Sequence, residues 1–230
     1  MRLGFLLLAL LGADTSPRRS HRSSHLPRGH TLVTYHKGIV ELDAKGKELW
    51  RFKRDGLRSA HLLADNTVLV VDGTQRKLLI VDRKGEVRWK HQFAGTHLFH
   101  GAPAGDGSFW VGGKQGNRGF LIRVDRTGAI KQQLDAPSCL TFCVLRTGGI
   151  LVNQHEQSKL SELNKAGQET WEWQGSPNHY GVERLANGHT ILGRSNDVVE
   201  LDRDGRTVWT CQSPAGNYHY AVKRLKEWLK

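Results

Sequence analysis

An all-β fold, built from repeats of a four-stranded antiparallel unit, is predicted by three observations. A pattern recurs about every forty residues, one turn signature falls at the same place in each copy, and short apolar runs lie between the turns. Residues 38–52 (GIVELDAKGKELWRF), 77–90 (KLLIVDRKGEVRWK) and 197–209 (DVVELDRDGRTVW) carry the pattern clearly. Residues 119–134 (GFLIRVDRTGAIKQQL) and 159–173 (KLSELNKAGQETWEW) are weaker copies.

The repeat is anchored by an acid or amide at Asp43, Asp82, Asp125, Asn164 and Asp202, in steps of 39, 43, 39 and 38 residues. A glycine follows three residues on, at Gly46, Gly85, Gly128, Gly167 and Gly205. Four further on stands a tryptophan at Trp50, Trp89, Trp171 and Trp209, with Gln132 breaking the series. Each residue type suits a job. The acid accepts hydrogen bonds from the backbone ahead of it, and glycine tolerates the positive φ at which the strands rejoin. Tryptophan begins the return strand and fills the gap to the next sheet. The repeated acids therefore read as turn residues, not as catalysts.

Two more strands precede each hairpin, plainest in residues 181–193 (GVERLANGHTILG), with a turn at Ala186-Asn187-Gly188. Residues 61–71, 100–112 and 141–152 are equivalent pairs. Four antiparallel strands per unit make a propeller blade. The first unit, from His30, lacks its innermost strand. The last segment, 220–225 (YAVKRL), copies 180–185 (YGVERL) with nothing after it to complete a further blade. The expectation is a single five-bladed β-propeller, closed by the C-terminal strand pairing into the first blade and leaving no large sheet edge exposed.

The domain reading is a signal peptide over 1–13, a basic leader over 14–29 and the propeller over 30–230. Arg2 precedes an apolar run from Leu3 to Gly12, too short to span a bilayer as a helix. The chain is thus expected in the periplasm or cell envelope, or secreted, and as a monomer. Three cysteines build no disulfide framework, and Cys139 and Cys143 on one extended strand cannot bridge. The formal net charge of +12 favours anionic partners, although Arg18, Arg19, Arg22 and Arg28 fall in the leader.

The pattern resembles the pyrroloquinoline-quinone-like propeller repeats. Within them it is similar to the arylsulfotransferase-like propellers, through residues 185–192 (LANGHTIL) and 199–209 (VELDRDGRTVW). The resemblance covers nearly all of the chain after residue 30 and implies the propeller fold. It does not imply one activity, because the group spans quinone dehydrogenases, sulfotransferases and non-catalytic scaffolds of envelope assembly. Its quinone enzymes have eight blades, an adjacent cysteine pair and a calcium site. This chain is too short for that, and Cys139 and Cys143 are not adjacent.

Propeller ligands usually meet one mouth of the channel, formed by the loops entering each innermost strand and those joining the second and third strands. The entries carry His61, His97, His100, Cys139, His179, Tyr180, His219 and Tyr220; the second-to-third loops add Lys114 and Arg118. The step of 43 places extra residues in the loop from Lys114 to Arg118, which is expected to project farthest. Imidazoles converging with Cys139 could bind zinc or copper, but these mouth residues have no tight spacing such as His-x-x-x-His on one element, and the plainer reading is packed rings satisfied by backbone carbonyls. The basic residues suggest a rim for a protein partner or an anionic glycan; nucleic acid is disfavoured. Glycosidase chemistry needs two carboxylates across the channel, and only Glu183 sits at an innermost-strand position. The leading reading is an exported, non-enzymatic binding propeller. The alternative is a quinone-dependent or sulfotransferase-like enzyme using histidines near His100, His179 and His219.

Overall fold

The computed structural model describes residues 20–21, 31–35, 37–43, 47–136, 139–175, 179–194, 197–212 and 219–220. Four sheets are four-stranded antiparallel blades in chain order. Blade 1 holds β5 (Leu57–Leu62), β6 (Val68–Asp72), β7 (Lys77–Val81) and β8 (Val87–Gln92). Blade 2 holds β9 (His97–Pro103), β10 (Phe109–Gln115), β11 (Arg118–Val124) and β12 (Ile130–Leu134). Blade 3 holds β13 (Cys139–Val144), β14 (Ile150–Gln154), β15 (Lys159–Leu163) and β16 (Glu169–Gln174). Blade 4 holds β17 (His179–Arg184), β18 (Thr190–Arg194), β19 (Asp197–Leu201) and β20 (Thr207–Gln212).

The remaining strands do not make a fifth such blade, so the expected count is corrected to four. Strands β1 (Ser20–His21), β2 (Thr31–Tyr35), β3 (Gly38–Leu42), β4 (Glu48–Lys53) and β21 (His219–Tyr220) form a mixed five-stranded sheet in the order β21-β1-β2-β3-β4. The C-terminal strand does not reach β2. The inner ladder of β2 is already taken by β1, through Ser20↔Tyr35 and His21↔Thr34, and β21 pairs parallel onto β1 instead. Ser20 and His21 lie within the stretch expected as a leader; residues 1–13 fall outside the described residues. Among the described residues no helix is long and apolar enough to cross a membrane.

Burial follows position within the blade. Strands β6 and β14 are buried at every residue, whereas β8 and β16 alternate and lie mostly exposed. A middle strand is covered on both faces by neighbouring sheets, and an outermost strand is not. The core therefore consists of layers between consecutive sheets. Leu69, Val71, Phe109 and Val111 fill the seam between blades 1 and 2. Trp110, Leu121, Phe142 and Val152 fill that between blades 2 and 3.

The marker hairpins form as their residues dictate. Asp82 Oδ1 accepts from the N–H groups of Lys84 (2.8 Å) and Glu86 (2.9 Å), and Gly85 turns at φ +84°. The same register shift, two residues against one, follows in every hairpin. The backbone donors lead in holding the Asp82 carboxyl below the usual carboxylate range.

The tryptophans do more than fill space. Trp50 Nε1 donates to the Arg83 carbonyl at 2.9 Å, Trp89 to Arg126 at 2.7 Å, and Trp171 to Arg203 at 2.8 Å. In each pair the acceptor is the residue just after the marker acid of the next sheet. Gln132, the break in the series, supplies the same bond: its Nε2 donates to the Lys165 carbonyl at 2.7 Å. Gln132→Ala is expected to lower stability by about 1 kcal/mol, or roughly 2–4 °C in Tm. Gln132→Trp should keep the parent value in the same melt.

The long second unit does not project as a long loop. Strands β10 and β11 are seven residues each, joined by only Gly116 and Asn117. The extra residues lengthen the hairpin strands instead.

Candidate functional site at the channel mouth

The mouth is locked by backbone bonds. After β4, β8 and β16 the linker donates to the second-to-third loop of its own sheet: Arg54 N–H to the Lys37 carbonyl (3.1 Å), Phe93 to Arg76 (2.9 Å) and Gly175 to Ser158 (3.0 Å). In blade 1 a buried carboxylate ties the same loops. Asp72, fully enclosed, accepts from Arg54 Nε (2.7 Å) and from the Gln75 N–H (2.7 Å).

The two central histidines lie inside the wall rather than at the mouth. His61 on β5 is 8% exposed and His100 on β9 is 1% exposed. Their ring centroids are 5.3 Å apart at 74°, and His100 meets Phe142 on β13 edge-on at 4.7 Å. Gly101 makes this approach possible. A Cβ there would sit 2.8 Å from Val71 Cγ2, so glycine lets β9 press onto blade 1, where its N–H reaches Ser59 Oγ at 3.1 Å. The result is a spoke of three rings across three consecutive blades.

Cys139 is buried beside Gly112, at which a Cβ would come within 3.1 Å of its sulfur. Desolvation pushes its thiol up to about 12 from an ordinary 9.0, so at neutral pH it offers no thiolate to a metal or an electrophile. Between those two values the unfolded chain releases a proton that the folded chain keeps. Stability should therefore fall as pH rises, by up to about 1.4 kcal/mol per pH unit. Urea unfolding of the parent and of Cys139→Ala at pH 8 and pH 10 checks this: the parent is expected to lose more than the variant.

The other sequence-derived residues scatter. His97 and Arg118 are exposed at the starts of β9 and β11, and Lys114 is held by Glu156 across to blade 3. His179 and Tyr180 lie on β17, and His219 and Tyr220 on β21, which packs against β17 and β18. These four side chains are outside the described residues. Among the described residues no group of three or more His, Cys, Asp or Glu is arranged to hold a metal.

An open groove of about 660 Å³ lies at the opposite end of blade 2, on its hairpin turns, lined by Asp106, Ser108, Arg123, Asp125, Arg126 and Lys131. Four of its charges pair off, Arg123 with Asp106 and Lys131 with Asp125 at 2.9 Å, while Arg126 lies over the Phe109 ring. The Thr127 hydroxyl, then Lys131, hold the Asp125 carboxyl well below its usual range. What sequence reasoning missed at the mouth is Arg54, Arg58 and Asp72. Arg58 and Asp72 follow Leu57 and Val71 inside apolar runs, and only the fold brings them to the loops.

Comparison with known proteins agrees with this architecture. No curated protein matches the sequence. Among solved structures, a protein of unknown function from Bacteroides caccae superposes with a TM-score of 0.67 at 18% identity, over 85% of this chain and 82% of that one. The calcium-binding protein regucalcin from Agrobacterium tumefaciens gives 0.65 at 17%, covering 87% and 77%. Virginiamycin B lyase from Staphylococcus aureus gives 0.62 at 12%, covering 89% and 73%. At these identities the likeness is one of fold. The family described as outer membrane protein assembly factor BamB matches residues 13–99 and 36–227, nearly the whole chain. With its repeated hairpins, inter-blade tryptophans and stacked four-stranded blades, the chain belongs to this family of pyrroloquinoline-quinone-like propeller repeats.

Proposed function

We propose that this propeller is a non-enzymatic, exported binding protein that holds a partner protein at its mouth face in the cell envelope. The observation that carries the reading is the fate of the mouth's reactive residues. Of the described candidates for metal binding or base and nucleophile chemistry, His61, His100 and Cys139 are packed into the wall at 8%, 1% and 1% exposure, and His97 is exposed on its own at the start of β9. A general base must come within hydrogen-bond reach of the proton it takes, and rings enclosed edge to face against one another do not. What the mouth presents to solvent is a set of immobilised loops rich in cations. The family's description as an assembly factor supports a protein as the partner.

A thermal-shift series tests this. A ligand at about 100 times its Kd adds roughly 2.7 kcal/mol, which for a chain of this size is about 5–10 °C. Zinc, copper, calcium and pyrroloquinoline quinone, each with and without chelator, are expected to leave Tm unchanged. A shift of several degrees with quinone or metal, lost in His100→Gln, would overturn the reading in favour of an enzyme.

A further inference from the structure

We propose that the rim built by the second-to-third loops of the mixed sheet, blade 1 and blade 2 is a docking surface for an acidic polypeptide segment. This deepens the binding reading above and rests on it. Charge is distributed differently at the two ends of the molecule. On the hairpin-turn end many cations are neutralised in place: Arg83 by Glu41, Arg88 by Asp82 and Glu86, Arg123 by Asp106, and Arg203 by Glu162. On the rim, Arg58, Arg76 and Arg118 make no ion pair among the described residues, and Lys37 stands in the loop beside them. Of the described carboxylates in these loops and linkers, Asp72 is enclosed and committed to Arg54, Asp55 and Asp135 are exposed, and Glu156 at the edge of blade 3 pairs with Lys114.

The cations are presented from a fixed frame. The Gly73 N–H bonds the Gly56 carbonyl at 3.0 Å, which presses the linker and the loop together. A Cβ at Gly73 would sit 2.5 Å from Arg58 Cγ and 2.8 Å from its Nε, so the Arg58 side chain lies flat across that glycine. Arg76 occupies the loop's left-handed position, φ +57°, where glycine or asparagine is the relaxed choice. A long cationic residue held in an unfavourable backbone conformation is what a binding role would retain.

Carboxylates on an extended chain fit this rim better than a membrane does. Guanidinium forks match carboxylates two bonds at a time, and an extended peptide presents alternate side chains on one side. A bilayer surface would call for an apolar anchor. The large apolar side chains exposed on the described surface, Leu49, Val87, Ile130 and Val208, all lie on outermost strands away from the rim.

The test is fluorescence anisotropy with a labelled peptide of alternating Glu and Ser, against a Gln-Ser peptide of equal length. Binding of the Glu peptide should weaken roughly tenfold in Arg58→Gln/Arg76→Gly and less than about twofold in Arg146→Gln/Lys165→Gln, a control of equal charge on the other end. Because Arg76→Gly relieves a left-handed residue, its Tm should not fall, which separates lost binding from lost folding. Equal loss in both double variants would overturn the proposal as unspecific charge attraction. Rim-dependent binding of heparin or anionic vesicles without binding of the Glu peptide would overturn the partner class while leaving the binding reading intact. Failure of that reading itself would show separately, as stabilisation by metal or quinone.

Discussion

Phe142→Ala is expected to destabilise the propeller by about 3–5 kcal/mol. Phe142 is fully buried, packs in the seam between blades 2 and 3, and closes the ring spoke by taking the edge of His100 at 4.7 Å. Removing it opens a cavity in that seam and leaves the His100 ring with His61 alone as an aromatic neighbour. A domain of this kind is stable by roughly 5–15 kcal/mol in total, so the variant should melt about 6–20 °C below the parent. Phe142→Leu keeps most of the volume and should lose much less. Equal melting temperatures for Phe142→Ala and the parent would mean that the spoke does not hold the inner strands together.

Asp72→Ala should be nearly as damaging, for an electrostatic reason. Its carboxylate is wholly enclosed and serves both Arg54 and the Gln75 N–H. Removing one partner of a buried ion pair leaves the other uncompensated, a loss of about 3–5 kcal/mol. Arg54 is about a quarter exposed and also bonds Gln75, so the lower end of that range is expected. Urea unfolding measures the loss. The double variant Asp72→Ala/Arg54→Met should recover part of it, because the stranded charge is then absent. A double variant worse than the single one would show that the carboxylate acts through the loop N–H rather than through Arg54.

The blade itself was legible in the sequence because its signature is local. The marker acid, the glycine three residues on and the donor four beyond that all belong to one hairpin, and in the three hairpins closed by Gly85, Gly128 and Gly167 each has the role its chemistry implied. What was not legible depended on pairing between distant segments. Nothing in Ser20 and His21 marks them as a strand, yet they occupy the ladder on β2 that the C-terminal repeat was expected to fill. That is why the count of four-stranded blades comes to four. Gln132 looked like a gap, since only the position of the Lys165 carbonyl reveals that an amide can stand in for an indole. At the candidate site, His61 and His100 were placed at the mouth by their position on the innermost strands. Their enclosure follows from Gly101, where the equivalent positions of the other blades carry Ala60, Phe142 and Val182. A glycine at that register was a readable sign of close approach, but its consequence for two side chains required the neighbouring sheet.

The inter-blade bond has an asymmetry that bears on how this molecule could diversify. On one side of each of these four seams the donor is a specific side chain, Trp50, Trp89, Gln132 or Trp171, and on the other the acceptor is a peptide carbonyl. Every residue type carries that carbonyl. Substitutions at Arg83, Arg126, Lys165 and Arg203 therefore leave the bond itself intact, while substitutions at the donors do not. Half of the contact is written in an alphabet that mutation cannot edit. The turns on that end are free to drift in charge and shape, and a lineage of such propellers could acquire new surfaces there without loosening the joints between its sheets.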